Sequence, residues 1–190
     1  GSKKIKFEFR DYDPTKDVDN FIMVVNAVKI SQKRTRDGWI NYHSQFTQSD
    51  KDNKRLELIE HHGKYSIMDS REKPVCSTNI ISTGIDISFK KIIACGLPLF
   101  ENVQTAGRGN RWGEYDDGCI IVVSKGFNSE GSERKAIECK YNKELRDLDY
   151  DLLKEKVGNR TITVNEFYDI VEIIKVDKKR ERKFKEYMDT

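Results

Sequence analysis

What this sequence lacks narrows its function before any motif is considered. No apolar run approaches the roughly 18 residues that a membrane-spanning helix requires, and 35% of the residues are charged. No secretion signal opens the chain; Gly1-Ser2 has the look of a cloning remnant, and the abrupt start suggests an excised fragment. The four cysteines include no C-x-x-C pair, and Cys76, Cys95 and Cys119 fall inside apolar runs. They therefore read as reduced core residues of a cytoplasmic protein. The three histidines, two of them adjacent at positions 61 and 62, show no metal-ligand spacing, so no metal site is expected. A phosphate-cradling G-x-x-x-x-G-K-[ST] loop is also missing: Gly63-Lys64 runs into Tyr65 and has no glycine at the required upstream place. One sign of charge hardly prevails, with a net charge of +3. Seven basic against four acidic residues in 175–190 account for that excess, and a solvated helix face explains them more simply than a nucleic-acid patch does.

What is present is an alternation of short apolar runs and amphipathic stretches. A chain of 190 residues makes one domain, or one with an appendage. Residues 1–20 are charged, carry the Asp13-Pro14 turn signal and read as a remnant followed by a linker or edge segment. Phe21 to Val25 is a continuous apolar run, as expected of a strand covered on both faces. A basic helix over Val28 to Arg36, a strand over Trp39 to His43 and a second helix closing at Gly63 follow. That second helix is expected to start at Ser49 with Asp52 as its box partner, to bury Leu56 and Ile59, and to use Gly63 at its C′ position. Further strands are expected at Pro74 to Ser77, Lys91 to Cys95 and Cys119 to Ser124, with a short helix over Glu101 to Gly107. This order describes an α/β, doubly wound, mainly parallel sheet. Residues 131–190 read as a helical extension, in which Phe167, Ile170, Val171 and Ile174 form a core or interdomain stripe.

The polar segments between the later strands carry the chemistry. Gln104, Gly107, Arg108 and Arg111 form a Q-x-x-G-R-x-x-R array. Two guanidiniums three residues apart suit a highly charged anion, since each offers a rigid fork of donors and keeps its charge. The pair of segments T-N-x-x-x-T-G-I-D-I (Thr78 to Ile87) and Q-T-A-G-R-G-N-R (Gln104 to Arg111) resembles motifs V and VI of superfamily 2 helicases, in the second of their two RecA-like lobes. Phe21 to Lys29 resembles motif IV. The segment H-S-Q-F-T-Q-S-D-K at His43 to Lys51 is similar to one in the CRISPR-associated helicase-nuclease of type I interference, as is the G-R-G-N-R form of motif VI. The resemblance covers about residues 21–124 and assigns nothing to the tail.

The resemblance implies a three-layer RecA-like lobe at 21–130 that binds ATP together with a first lobe. That first lobe would hold Mg2+ through Walker A and B elements missing here, so this chain alone is expected not to hydrolyse ATP. Arg108 and Arg111 would be arginine fingers, with Gln104 near the γ-phosphate and the attacking water. The alternative for both arginines is a pairing with surface carboxylates such as Asp116 or Asp117. Gly84, Asp86 and Gly107 would line the ATP cleft, Asp86 touching the ribose or ordering motif VI. Thr78, with Asn79, Asn26 and Ser44, would touch the backbone of a single strand, DNA being favoured, although local side-chain-to-backbone bonds serve the last three equally well. Trp112 could stack on adenine or on a base of the strand, or pack under its loop. Asp116-Asp117 imitates a metal pair but reads as a solvated turn, and no phosphohydrolase His-Asp dyad marks a nuclease. The implied partners are the first lobe and a CRISPR effector complex. Asn79 and Gly84 follow the general superfamily form, which keeps open a helicase of a phage or restriction system. A solitary RecA-like module that binds without hydrolysis is the reading from a different class.

Overall fold

The computed structural model describes residues 3–18, 20–25, 27–66, 73–78, 85–96, 105–125 and 137–189. Seven strands form one sheet: β1 (Lys4–Phe9), β2 (Phe21–Val25), β3 (Ile40–Tyr42), β4 (Val75–Thr78), β5 (Lys91–Cys95), β6 (Cys119–Ser124) and β7 (Thr161–Thr163). Their spatial order is β3-β4-β2-β5-β6-β1-β7. All neighbours run parallel except β1 and β7. Among the described residues five helices of seven or more residues accompany them: α1 (Val28–Arg34), α2 (Gln48–His62), α3 (Ile137–Val157), α4 (Val164–Lys175) and α5 (Lys178–Met188).

β2 is buried at every residue, because both faces of the sheet are covered. Successive side chains of a strand point to opposite faces, and its residues divide accordingly. Ile22 and Val24 join Leu58 of α2 and Leu152, Leu153, Phe167 and Val171 of α3 and α4 in one core. Phe21, Met23 and Val25 join Cys76, Ile93 and Cys95 in the other, against Ile30 of α1 and Trp39. This is the expected α/β three-layer architecture. The expected stripe on α4 is core: Phe167, Val171 and Ile174 are buried and Ile170 packs beside them.

Several expectations change. Residues 4–9 are neither linker nor edge: β1 lies between β6 and β7, with Ile5 and Phe7 buried. Its lysines at 4 and 6 occupy the opposite, exposed positions of a period-two strand, which a reading by charge density overlooks. The core also continues across residue 130, since α3 and α4 pack on the same cluster as β1 and β6. Helix α2 begins earlier than expected: Thr47 is its N-cap and accepts from the Asp50 N–H. Its buried residues include Leu58 and His62, whereas Leu56 and Ile59 are 67% and 46% exposed. Gly63 ends it with an ordinary φ of −74° rather than a left-handed one. A Cβ there would lie 2.4 Å from the Ile59 carbonyl oxygen, so the glycine serves close approach. In the tail, Thr163 and Glu166 form a reciprocal capping box that starts α4. Asp177 accepts from the N–H groups of Lys179 and Arg180, and so starts α5.

From β2 the chain moves outward to β3, then returns through β4 and across β2 to β5, so it reverses its direction of progress across the sheet after β3, and β4 and β5 flank β2 on opposite sides. Ligands of open α/β sheets gather at such switch points, outside the carboxyl ends of the strands.

Candidate functional site

The second half of the motif V segment runs as an extended strip from Ile85 to Lys90, directly before β5. Ile85, Ile87 and Phe89 are buried and Asp86 is exposed. Two neighbours hold the strip, one on each flank. On one flank Gly63 bridges Ile87 in antiparallel fashion and the Ser88 N–H donates to the His62 carbonyl at 3.0 Å. The His62 ring packs on Phe89 with centroids 4.3 Å apart. On the other flank Gly109 bridges Phe89 in parallel fashion. The Phe89 N–H donates to the Arg108 carbonyl and the Asn110 N–H to the Phe89 carbonyl, each at 2.9 Å.

This second bridge registers motif VI on motif V. Gly109 is seated where no side chain fits: a Cβ would lie 2.8 Å from Cys119 Sγ and 3.1 Å from Ile92 Cδ1. Asn110 takes a left-handed φ of 46°, which asparagine tolerates better than most residues. Its side chain closes the loop by accepting from the Tyr115 N–H and donating to the Tyr115 carbonyl, both at 2.9 Å. The buried Ser88 hydroxyl oxygen accepts the Arg111 N–H at 2.8 Å, and the Lys3 ammonium donates to the Arg111 carbonyl. Gly109, Asn110, Ser88, Tyr115 and Lys3 were not candidates from sequence. For Gly109 and Asn110 a signal existed, a Gly-Asn pair between the two arginines, but their roles depend on Cys119 and Tyr115 further along the chain.

The two guanidiniums occupy different environments. Arg108 is 7% exposed and its Nη1 donates to the Ile85 carbonyl. Burial depresses its proton affinity, the like charge of Arg111 adds to that, and Asp86 opposes it. Arg111 is the more accessible: its side chain is 38% exposed, and its Nε meets Asp86 Oδ1 at 2.8 Å. Arg111 thus does pair with an exposed carboxylate, the alternative raised for it, but the partner is Asp86 rather than Asp116 or Asp117; Asp117 lies 3.7 Å from the Lys90 ammonium. Gly107 is exposed beside Arg108, and Trp112 is half-buried. Of the helix expected over Glu101 to Gly107, Thr105 and Ala106 are helical, Gly107 is in a turn, and residues 101–104 lie outside the described residues.

Thr78 and Ser44 lie elsewhere. Thr78 ends β4, level with Val25 and therefore with Cys95, and Ser44 stands two residues past Tyr42, which is level with Ser77. Both occupy the carboxyl end of the sheet, Thr78 buried and Ser44 exposed. Asp86, which holds Arg111, precedes Lys91, and Lys91 is level with Phe21 at the amino end. Four strand steps, about 13 Å, separate the two ends. The structure thus unites Asp86, Gly107, Arg108 and Arg111 and sets Thr78 and Ser44 apart from them. Asn26, Asn79, Gly84 and Gln104 lie outside the described residues. Among the described residues no group of three or more His, Cys, Asp or Glu side chains is placed to hold a metal ion, and no helix is long and apolar enough to cross a membrane.

Residues 15–114 match the family described as CRISPR-associated nuclease/helicase Cas3, C-terminal. The chain belongs to the Cas3-like C-terminal family. The Cas3-like lobe is also similar in fold to the T. fusca Cas3 crystal structure with ATP (TM-score 0.75, 14% identity, covering 99% of this chain and 26% of that one). The T. fusca Cas3–AMPPNP structure resembles it at a TM-score of 0.68 and 14% identity, over 89% of this chain and 23% of that one. A chain of a CRISPR RNA-guided surveillance complex in a pre-nicking state does so at 0.66 and 14%, over 95% and 26%. This lobe therefore spans about a quarter of the solved chains it matches. No curated protein matches it.

Proposed function

We propose that this Cas3-like lobe is the second half of an ATP-driven superfamily 2 motor that moves on single-stranded nucleic acid, DNA by preference, in CRISPR interference. The observation that carries the reading is the Phe89–Gly109 bridge, which brings Asp86, Arg108 and Arg111 onto one edge as a unit. ATP would lie between this edge and a P-loop lobe. Its phosphates fit beside the accessible Arg111 and the neighbouring Arg108, with Gln104 close to the γ-phosphate. Asp86 would release part of its hold on Arg111 as the phosphates arrive, and would turn to the ribose. Phosphoryl transfer to water depends mainly on position and charge stabilisation, and an arginine finger contributes about 10³–10⁵ in rate. The described residues fit phosphate contacts and offer no cluster for Mg2+, which would belong to the Walker residues of the P-loop lobe. At the other end of the sheet Thr78 and Ser44 would hold the backbone of the strand, the role that the resemblance also implies for Asn26 and Asn79. Placing nucleotide and strand at opposite ends lets closure of the lobes on ATP displace the strand contacts.

The test is turnover of ATP by the assembly of this lobe with its P-loop lobe. Arg111→Ala should lower kcat by about 10³ or more, and Arg108→Lys, which preserves the buried charge, should lower it less. Wild-type turnover in Arg111→Ala would remove the clamp from the mechanism. Thr78→Ala should weaken single-strand binding equally for all sequences, as expected of a contact to the backbone. Unchanged affinity would remove Thr78 from the strand surface.

A further inference from the structure

We infer that Tyr65 stacks on the base of the nucleotide and completes the site whose phosphate end is at Arg111; this rests on the nucleotide reading above. Helix α2 starts at the end of the sheet that carries Thr78 and Ser44, and its 15 residues carry the chain about 22 Å back to the other end. There Gly63 joins the Ile85–Lys90 strip on the flank opposite motif VI. The alternation of backbone directions establishes the opposition: the Ser88 N–H points to His62, and the next N–H, of Phe89, points to Arg108. Asp86 therefore stands between Arg111 on one side and the Gly63 turn on the other. Phosphate, ribose and base follow one another in a nucleotide in that same order.

The turn presents its aromatic firmly. The Ser66 N–H and hydroxyl both donate to the Gly63 carbonyl, at 3.1 and 2.7 Å, and close a four-residue turn with Tyr65 at its third position. The root of the turn is fixed by the Ile87 bridge and by the packing of His62 on Phe89. At the tip, Tyr65 is 92% exposed, and its ring has the Lys64 ammonium 5.9 Å from the centroid. A large flat apolar face is thus held in water two residues beyond the Gly63–Ile87 bridge, and Ile87 directly follows the residue proposed to meet the ribose. Stacking on such a face is tolerant of base identity, because every base has a π-face.

Kinetics of the two-lobed assembly test this with Tyr65→Ala, Tyr65→Phe and Arg111→Ala, using ATP as substrate and inorganic tripolyphosphate as a baseless inhibitor. Tyr65→Ala should raise KM for ATP by roughly five- to one-hundredfold, the range of a lost base–aromatic stack. Tyr65→Phe should restore it, and inhibition by tripolyphosphate should be the same in all three Tyr65 forms. An unchanged KM overturns the inference. So does a parallel weakening of tripolyphosphate, which would mean that the ring supports lobe docking or phosphate binding instead. If Arg111→Ala abolishes turnover while Tyr65→Ala changes nothing, the base contact alone fails. If neither variant has an effect, the nucleotide cleft itself is misplaced.

Discussion

Gly109→Ala is a small change with a large calculable consequence. The added methyl would sit 2.8 Å from Cys119 Sγ, 3.1 Å from Ile92 Cδ1 and 3.3 Å from Cys119 Cβ. Ile92 can yield by turning its terminal methyl. Cys119 cannot yield easily, since it is buried at the first residue of β6 and paired with Ile5 of β1. Overpacking of this kind costs about 1–3 kcal/mol. Cys119→Ala, which removes the clashing sulfur, should itself cost about 1 kcal/mol, comparable to other single-group core truncations. Combined, the two should cost less than their sum, with a favourable coupling of about 1–2 kcal/mol. Urea titration of the four forms, read as midpoints at constant slope, measures this directly. Additivity to within about 0.5 kcal/mol would refute the seating of Gly109 against Cys119. The kinetic expectation is parallel. A shift of about 1 Å can cost roughly 10²-fold in rate, so Gly109→Ala should slow ATP turnover in the two-lobed assembly and Cys119→Ala should partly rescue it.

The Asp86–Arg111 pair is half open to solvent, so Asp86→Asn should change stability by less than about 1 kcal/mol while lowering turnover; a stability loss well above that value would show a structural role instead. Asp17 has a fully buried side chain, held by two bonds from Arg10 at 2.8 Å each, by the Asp13 N–H and by the Lys91 ammonium. Burial pushes its carboxyl up, but these donors outweigh burial and hold it at about 2. A depressed acid stabilises the fold above its unfolded value near 3.8 and loses that contribution as pH falls from there through about 2. About 2 kcal/mol should therefore disappear across that window, and acid titration of Asp17→Asn should lack this component; an unchanged acid profile would refute it. Thr163→Ala removes the α4 cap and should cost about 1 kcal/mol in urea, whereas no loss would mean that β7 alone positions the helix.

Some of this protein could be read residue by residue. The strands at 21–25, 91–95 and 119–124 appear as apolar runs because a strand covered on both faces needs no polar alternation. The paired motifs were legible for a different reason: they are particular residues at short, fixed spacings, which can be read without knowing the fold. Other features were obscured by weak local contrast. On α2 the Leu56–Ile59 pair is as apolar as Leu58, yet only Leu58 faces the sheet. In β1 three charged residues, Lys4, Lys6 and Glu8, hid the alternation of Ile5 and Phe7.

Thus local chemistry decided the fold class, the central strands and the spacing of the candidate arginines. Tertiary structure alone decided that Asp86 faces Arg111 across 25 positions, that Gly109 rests on Cys119, and that nucleotide and strand candidates occupy opposite ends of one sheet. Those facts depend on register between segments distant in the chain. Register is set by the packing of whole elements, which no short stretch of sequence encodes.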